Sequence, residues 1–188
     1  WPQGVTHRAA LSGTTIWCES GSVLIDRWDD APLHAVHAGT APRPTHLRHH
    51  ALRLRFLDAD PALAARGTDA LAGTYSYFLG NDPRHWASGA KAYTNVIQED
   101  LWPGVDLHLR LHGDGVKYDL LLDAGVDPAT IRFTYEGADR LALRNKELVI
   151  GTRLGEVIES IPLAYQERNG VRTEVQCSYV LTGTTIGF

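Results

Sequence analysis

No apolar run in this sequence approaches the roughly 20 residues that cross a bilayer as a helix, and no basic stripe is present. The 18 Lys and Arg are outnumbered by 22 Asp and Glu, giving a formal charge of -4. Nothing in that balance draws nucleic acid or an anionic membrane surface. No P-loop, dinucleotide fingerprint, HExxH or CxxC occurs. The nearest approach to a nucleophile elbow, Ala87-Ser88-Gly89, lacks the first glycine of that motif. Heptads and long amphipathic helices are absent as well. Cysteine is scarce, with Cys18 near one end and Cys177 near the other. One intrachain bridge is possible; it would close a loop of about 160 residues, worth about 5 kcal/mol by the chain-entropy argument. Two buried free thiols are the other reading, and the redox compartment decides between them. The opening WPQG has neither the basic nor the apolar region of a leader, so any signal peptide is expected to have been removed already.

What is present is a set of short alternating segments. A chain of 188 residues with 44% hydrophobic side chains forms one domain with its own core. Its centre is WPGVDLHLRLHGDGVKYDLLLD (102–123), where Val105, Leu107, Leu109 and Leu111 alternate with Asp106, His108, Arg110 and His112. A period of two is the mark of a strand with one buried face. The cluster His112-Gly113-Asp114-Gly115 turns the chain and a second strand returns over 116–123. Further strands are predicted over 4–11, 14–18, 22–28, 52–56, 74–79, 91–98 and 131–135. They continue over 141–143, 148–150, 156–161, 163–167, 172–181 and 184–188, with Asn169-Gly170 as a two-residue hairpin turn. The stretch 29–45 carries Pro32, Pro42 and Pro44 without periodicity and reads as an exposed Pro/His-rich loop. At most one short helical turn is expected, near 61–66. The fold class is therefore all-β, a single domain over 1–188, sandwich-like or a distorted barrel of mostly antiparallel strands.

Candidate chemistry is thin. His34, His37, His46, His49 and His50 lie in or beside the loop, but their spacing fits no common metal motif, and a solvated polar loop explains them. A glycosidase needs two carboxylates about 5 to 9.5 Å apart; Asp106, Asp119, Asp123 and Glu136 are available, with Asp106 and Asp119 placed as cross-strand neighbours. Calcium has oxygen donors at Asn81-Asp82 and over 123–127, though neither has the spaced pattern of an EF-hand loop. Trp17, Trp28, Trp86 and Tyr75 are candidates for a sugar-stacking face, against the commoner role of strand aromatics in a core. No catalytic residue, metal ligand or cofactor is assigned.

The runs YSYFLGNDPRHW (75–86), WPGVDL before KYD, AGVDPATIRFTYEGADRL, GEVIESIPLAYQERNG and the VQCSYVL tail carry a resemblance. The chain resembles the N-terminal β-rich domain of unknown function found in large secreted or surface proteins, chiefly of the Bacteroidota. Those proteins often continue into SBBP-type β-propeller repeats, immunoglobulin-like modules or a gliding-motility-type sorting domain. The resemblance implies export by the type IX route, and that this chain is a fragment of a longer polypeptide. It carries no catalytic or binding residues across. Gly80 and Gly104 read as turn residues, Asp82 as a cap, and Trp86 and Trp102 as packing or edge-shielding aromatics. Export in turn favours a disulfide between Cys18 and Cys177.

The expected role is a non-catalytic, secreted or cell-surface structural or interaction module. It would contact neighbouring domains or other copies through strand edges and loops, with assembly into an extracellular polymer as one variant. A carbohydrate-binding module that reads surface glycan is the alternative, and a hydrolytic enzyme stands behind it.

Overall fold

A computed structural model describes residues 4–112 and 115–188. In chain order the strands are β1 (Val5–Leu11), β2 (Thr14–Glu19) and β3 (Ser22–Trp28), then a helix α1 (Ala31–His37) and β4 (His49–Phe56). The long strands β5 (Arg66–Phe78) and β6 (Trp86–Trp102) precede β7 (Val105–His112) and β8 (Gly115–Leu122). Next come β9 (Phe133–Glu136), β10 (Arg140–Arg144), β11 (Glu147–Thr152) and β12 (Gly155–Glu159). The last are β13 (Ala164–Arg168), β14 (Val171–Val175), β15 (Val180–Thr182) and β16 (Thr185–Gly187).

Every pairing among them is antiparallel. Seven strands form one sheet in the order β1-β2-β3-β4-β9-β16-β15, and four form a second, β5-β6-β7-β8. A three-stranded sheet, β10-β11-β12, and a lone pair, β13-β14, complete the set. The large sheet ends at β1 and β15 without closing, so the architecture is all-β and sandwich-like rather than a barrel.

Alternation decides what is buried. Leu52, Leu54 and Phe56 on β4 face Val105, Leu107 and Leu109 on β7 across one core, which Phe133, Tyr135, Leu148, Ile150 and Ile186 extend. Trp102 plugs it. Its indole N–H donates to the Leu57 carbonyl at 2.7 Å and its ring meets Phe56 edge-on, 5.6 Å between centroids. The chain then reverses at Gly104 (φ +72°), where a Cβ would sit 2.8 Å from Val126. A polar clasp holds this turn: the Asp100 N–H donates to Asp106 Oδ1 at 2.8 Å, and the Gly104 N–H to Asp100 Oδ1 at 3.0 Å. The expected roles of Trp102 and Gly104 are thus the observed ones.

A second lock joins the large sheet to the three-stranded one. His50 is buried on β4; its Nδ1 accepts the Arg153 N–H at 3.2 Å, so Nε2 bears the proton and donates to the Gly137 carbonyl at 2.8 Å. Gly137 has φ +86°, and a Cβ on it would stand 2.6 Å from the Ala51 carbonyl oxygen. Only glycine fits there.

Four expectations are corrected. Residues 61–66 hold no helix: four residues between Pro61 and Arg66 cannot offset helix nucleation, the Asp60 carboxylate takes the Ala62 N–H at 2.8 Å, and Arg66 already belongs to β5. Among the described residues the α-helix lies instead inside the Pro/His-rich stretch, which tolerates Pro32 because it falls in the first turn, where a missing N–H costs nothing. The segment 172–181 is two strands, β14 and β15, separated by residues 176–179. β5 and β6 run 13 and 17 residues, far beyond 74–79 and 91–98. The centre of the predicted turn between β7 and β8, Gly113-Asp114, lies outside the described residues.

Candidate interaction surface

Two hairpins leave this core with apolar side chains uncovered. The first is the outer half of β5–β6. Its ladder pairs Phe78 with Trp86 and Tyr75 with Ala90, and the register shifts twice, between Ala70 and Thr74 and between Tyr75 and Tyr77. Asp69 (φ 55°) and Gly73 (φ 91°) sit at the first of these irregularities and Gly89 (φ 77°) beside the second, so the arm is bent and its edge strand, β5, is broken up. At its end the Trp86 N–H donates to the Gly80 carbonyl at 3.1 Å, and Phe78 packs on Trp86 edge-on at 5.4 Å and 84°. Asp82 accepts the Arg84 N–H at 3.0 Å and pairs with its guanidinium at 2.6 Å, which holds the Asp82 carboxyl below the usual range. Phe78 is 65% exposed and Trp86 44%, with Leu71, Tyr75 and Leu79 also outward.

The second is β13–β14. Asn169 (φ 52°) and Gly170 (φ 76°) make its two-residue turn, and its register runs unbroken from Ala164↔Val175 to Arg168↔Val171. All five residues of β14 are exposed. Leu163 is 73% exposed and Val171 65%, with Tyr165 and Val175 outward too. Arg172 pairs with Glu167 at 2.9 Å and lies over the Tyr165 ring at 4.5 Å.

A polar cluster joins the sheets. The Glu159 carboxylate, at the end of β12, accepts phenol O–H donors from Tyr118 on β8 at 2.9 Å, from Tyr179 before β15 at 3.0 Å, and from Tyr135 on β9. Burial drives the Glu159 carboxyl upward, and the three phenol bonds, which favour the charged form, offset this only in part. Burial, with the neighbouring carboxylate, raises the phenols of Tyr118, Tyr135 and Tyr179. Sequence reading passed over this cluster, yet the signal was there: Glu159 shares the inward parity of Val157, opposite fully buried Leu148.

The other candidates disperse. Cys18 is a buried free thiol on β2, pushed up to about 11 by burial, and Cys177 is a free thiol between β14 and β15. The two thiols are not bonded in this structure; Cys18 lies within β2, and Cys177 precedes β15, which ends the same sheet. His34 pairs with Asp30, His49 with Asp26, His46 with Thr45, and His50 with Gly137. No group of three or more His, Cys, Asp or Glu among the described residues is placed to hold an ion. Asp127 caps the turn at Ala129. Asp106 lies opposite Leu121 and Asp119 opposite His108, so the two carboxylates are diagonal neighbours on one face rather than directly opposed; Asp119 is engaged by Arg110 at 2.8 Å and Lys117 at 3.3 Å. Trp17 and Trp28 share the outward parity of the large sheet, where Arg8 lies 5.1 Å from the Trp17 ring, while Tyr75 and Trp86 are on the arm. The four aromatics do not gather on one sheet.

Two open depressions lie on the described surface. One, of about 590 Å³, lies beside Ser20, Ser22, Arg53, Arg55 and Asp58. Its guanidiniums are committed, Arg53 to Glu19 at 3.1 Å and Arg55 to Glu136 at 3.1 Å. A second, of about 420 Å³, is lined by Arg110, His112, Val116, Lys117 and Ser160, with Arg110 and Lys117 paired to Asp119.

Fold and surface together define an all-β scaffold with two projecting hairpins. The chain belongs to a family described as a domain of unknown function, DUF7948, which matches residues 1–188. No curated protein and no solved structure matches it.

Proposed function

We propose that this domain is a non-catalytic structural or interaction module of an exported, cell-surface polypeptide. It contacts neighbouring domains of that polypeptide, or other copies, through its projecting hairpins and strand edges. The observation that carries the reading is the β5–β6 arm, which holds Leu71, Tyr75, Phe78, Leu79 and Trp86 in solvent. Large apolar side chains left exposed on one strand pair suit a contact site, and a bulged edge favours side-chain contact over strand addition. The cell-surface setting, with Bacteroidota-type neighbours such as SBBP repeats or a type IX sorting domain, rests on the sequence resemblance. Assembly into an extracellular filament is the extended form of the same reading.

A carbohydrate-binding role is the second reading, favoured by the outward Tyr75 and Trp86 alone. Sugar stacking uses ring faces, and the perpendicular Phe78–Trp86 pair offers an edge beside a face. A photo-crosslinker at Tyr75, in the parent polypeptide on the cell surface, tests both. Crosslinks into adjoining domains or other copies are expected. Crosslinks confined to polysaccharide would contradict the interaction reading and support the glycan one.

A further inference from the structure

We propose that the free edge of β14 pairs antiparallel with β14 of a second copy, across a two-fold axis through Thr173. This rests on the reading of the domain as an interaction module, but uses a different surface from the β5–β6 arm.

In a two-residue hairpin the residues flanking the turn, here Arg168 and Val171, are hydrogen-bonded to each other. Alternation then turns the main-chain groups of Val171, Thr173 and Val175 toward β13. Those of Arg172 and Glu174 face the other way, into solvent, because β14 has no second partner among the described residues. A lone hairpin exposed on both faces is marginal in water, and this one carries Leu163, Tyr165, Val171 and Val175 uncovered.

The sequence of the edge selects its partner. VRTEV, laid antiparallel on itself about Thr173, sets Arg172 opposite Glu174, Val171 opposite Val175 and Thr173 opposite Thr173. The two residues whose N–H and C=O groups point outward are thus the two that face each other, so their main-chain bonds close in the same register as their charges. Shifting the pairing by two residues either way centres it on Arg172 or on Glu174, opposing like charges, which is unfavourable. Glu174 has no ion pair among the described residues, while Arg172 is already held in line by Glu167 and Tyr165. On the other face Val171, Val175 and Ala164 of both copies form one apolar stripe. Among other end strands, β1 and β5 are interrupted by register shifts, and β13 laid on itself opposes Glu167 to Tyr165. An isologous contact of this kind closes as a dimer.

Sedimentation equilibrium of the 188-residue chain tests it. A short edge gives a weak contact, so the concentration series must reach about 1 mM. The weight-average mass should climb from 20.7 kDa toward twice that value. Glu174→Arg leaves the Arg172–Glu167 pair intact but opposes Arg to Arg across the axis, and should stay monomeric. So should the double change Glu167→Arg with Arg172→Glu, which keeps an ion pair inside the hairpin and opposes Glu to Glu. Mixed one to one, the two should recover the wild-type association, because each then supplies the other's missing charge. A wild-type chain monomeric throughout, single variants that dimerise like wild type, or a mixture that stays monomeric would overturn the pairing. Protein crosslinks from Tyr75 would survive that result, so failure here and failure of the broader reading are separable.

Discussion

The β7–β8 hairpin and the β13–β14 hairpin are built by the same local rules and end in opposite circumstances. Both alternate apolar with polar residues, and both have an unbroken antiparallel ladder. Yet Val105, Leu107 and Leu109 are buried on β7, while every residue of β14 is exposed. Alternation makes a strand; whether its apolar face is covered depends on what packs above it. Where the chain supplies no cover, as at β14 and the outer β5–β6 arm, the surface is left for something else.

The contrast can be broken by mutation. Trp102→Ala should cost about 3–5 kcal/mol, since the side chain is almost fully buried and its N–H is bonded to Leu57; urea denaturation of the purified domain measures it. Tyr135→Phe comes next, at about 1.5–3 kcal/mol, because it removes one donor from the Glu159 carboxylate. At the other extreme Leu163→Gln on the exposed side should change stability by no more than about 0.5 kcal/mol, measured in dilute solution. A loss at Leu163 comparable to that at Trp102 would erase the distinction between core and arm.

The Glu159 cluster sharpens it through pH. Glu159 is raised in the folded domain, so the folded state holds its proton more tightly than the unfolded chain. Stability therefore falls as pH rises from the ordinary carboxylate value of 4.5 to the raised one, and the penalty is fully present above it. His7, lowered by burial, acts in the opposite sense: its stabilising contribution is lost as pH falls below 6.5. The difference between wild type and Glu159→Gln removes the His7 contribution. In denaturant titrations from pH 4.5 to 8, that difference should shift in favour of the Gln variant as pH rises from 4.5 and level off above the raised value. A flat difference would mean the carboxylate is not held by desolvation.

How far the sequence could be read follows from the same physics. The β7–β8 strands, the Trp102 plug and the Asn169-Gly170 turn were legible because each is a local pattern with one structural outcome. The length of β5 and β6 was not, since Gly73 and Gly89 hold positive φ as irregularities inside continuous strands and so interrupt the local alternation. The α1 helix was hidden by Pro32, which elsewhere would end a helix and here sits in its first turn. The Cys18–Cys177 pairing depended on export, which no local pattern encodes. The β5–β6 arm was read as short strands, so its apolar surface became visible only with its full length.

Residue-resolved amide hydrogen exchange on the dilute domain tests the central claim most directly. The account predicts that β4, β7 and β9 exchange only through global opening, while the outer β5–β6 arm and β13–β14 exchange orders of magnitude faster, each independently of the core. Protection of β13–β14 equal to that of β7 in dilute solution would contradict it, because the hairpin would then be part of the core rather than a surface held out for a partner.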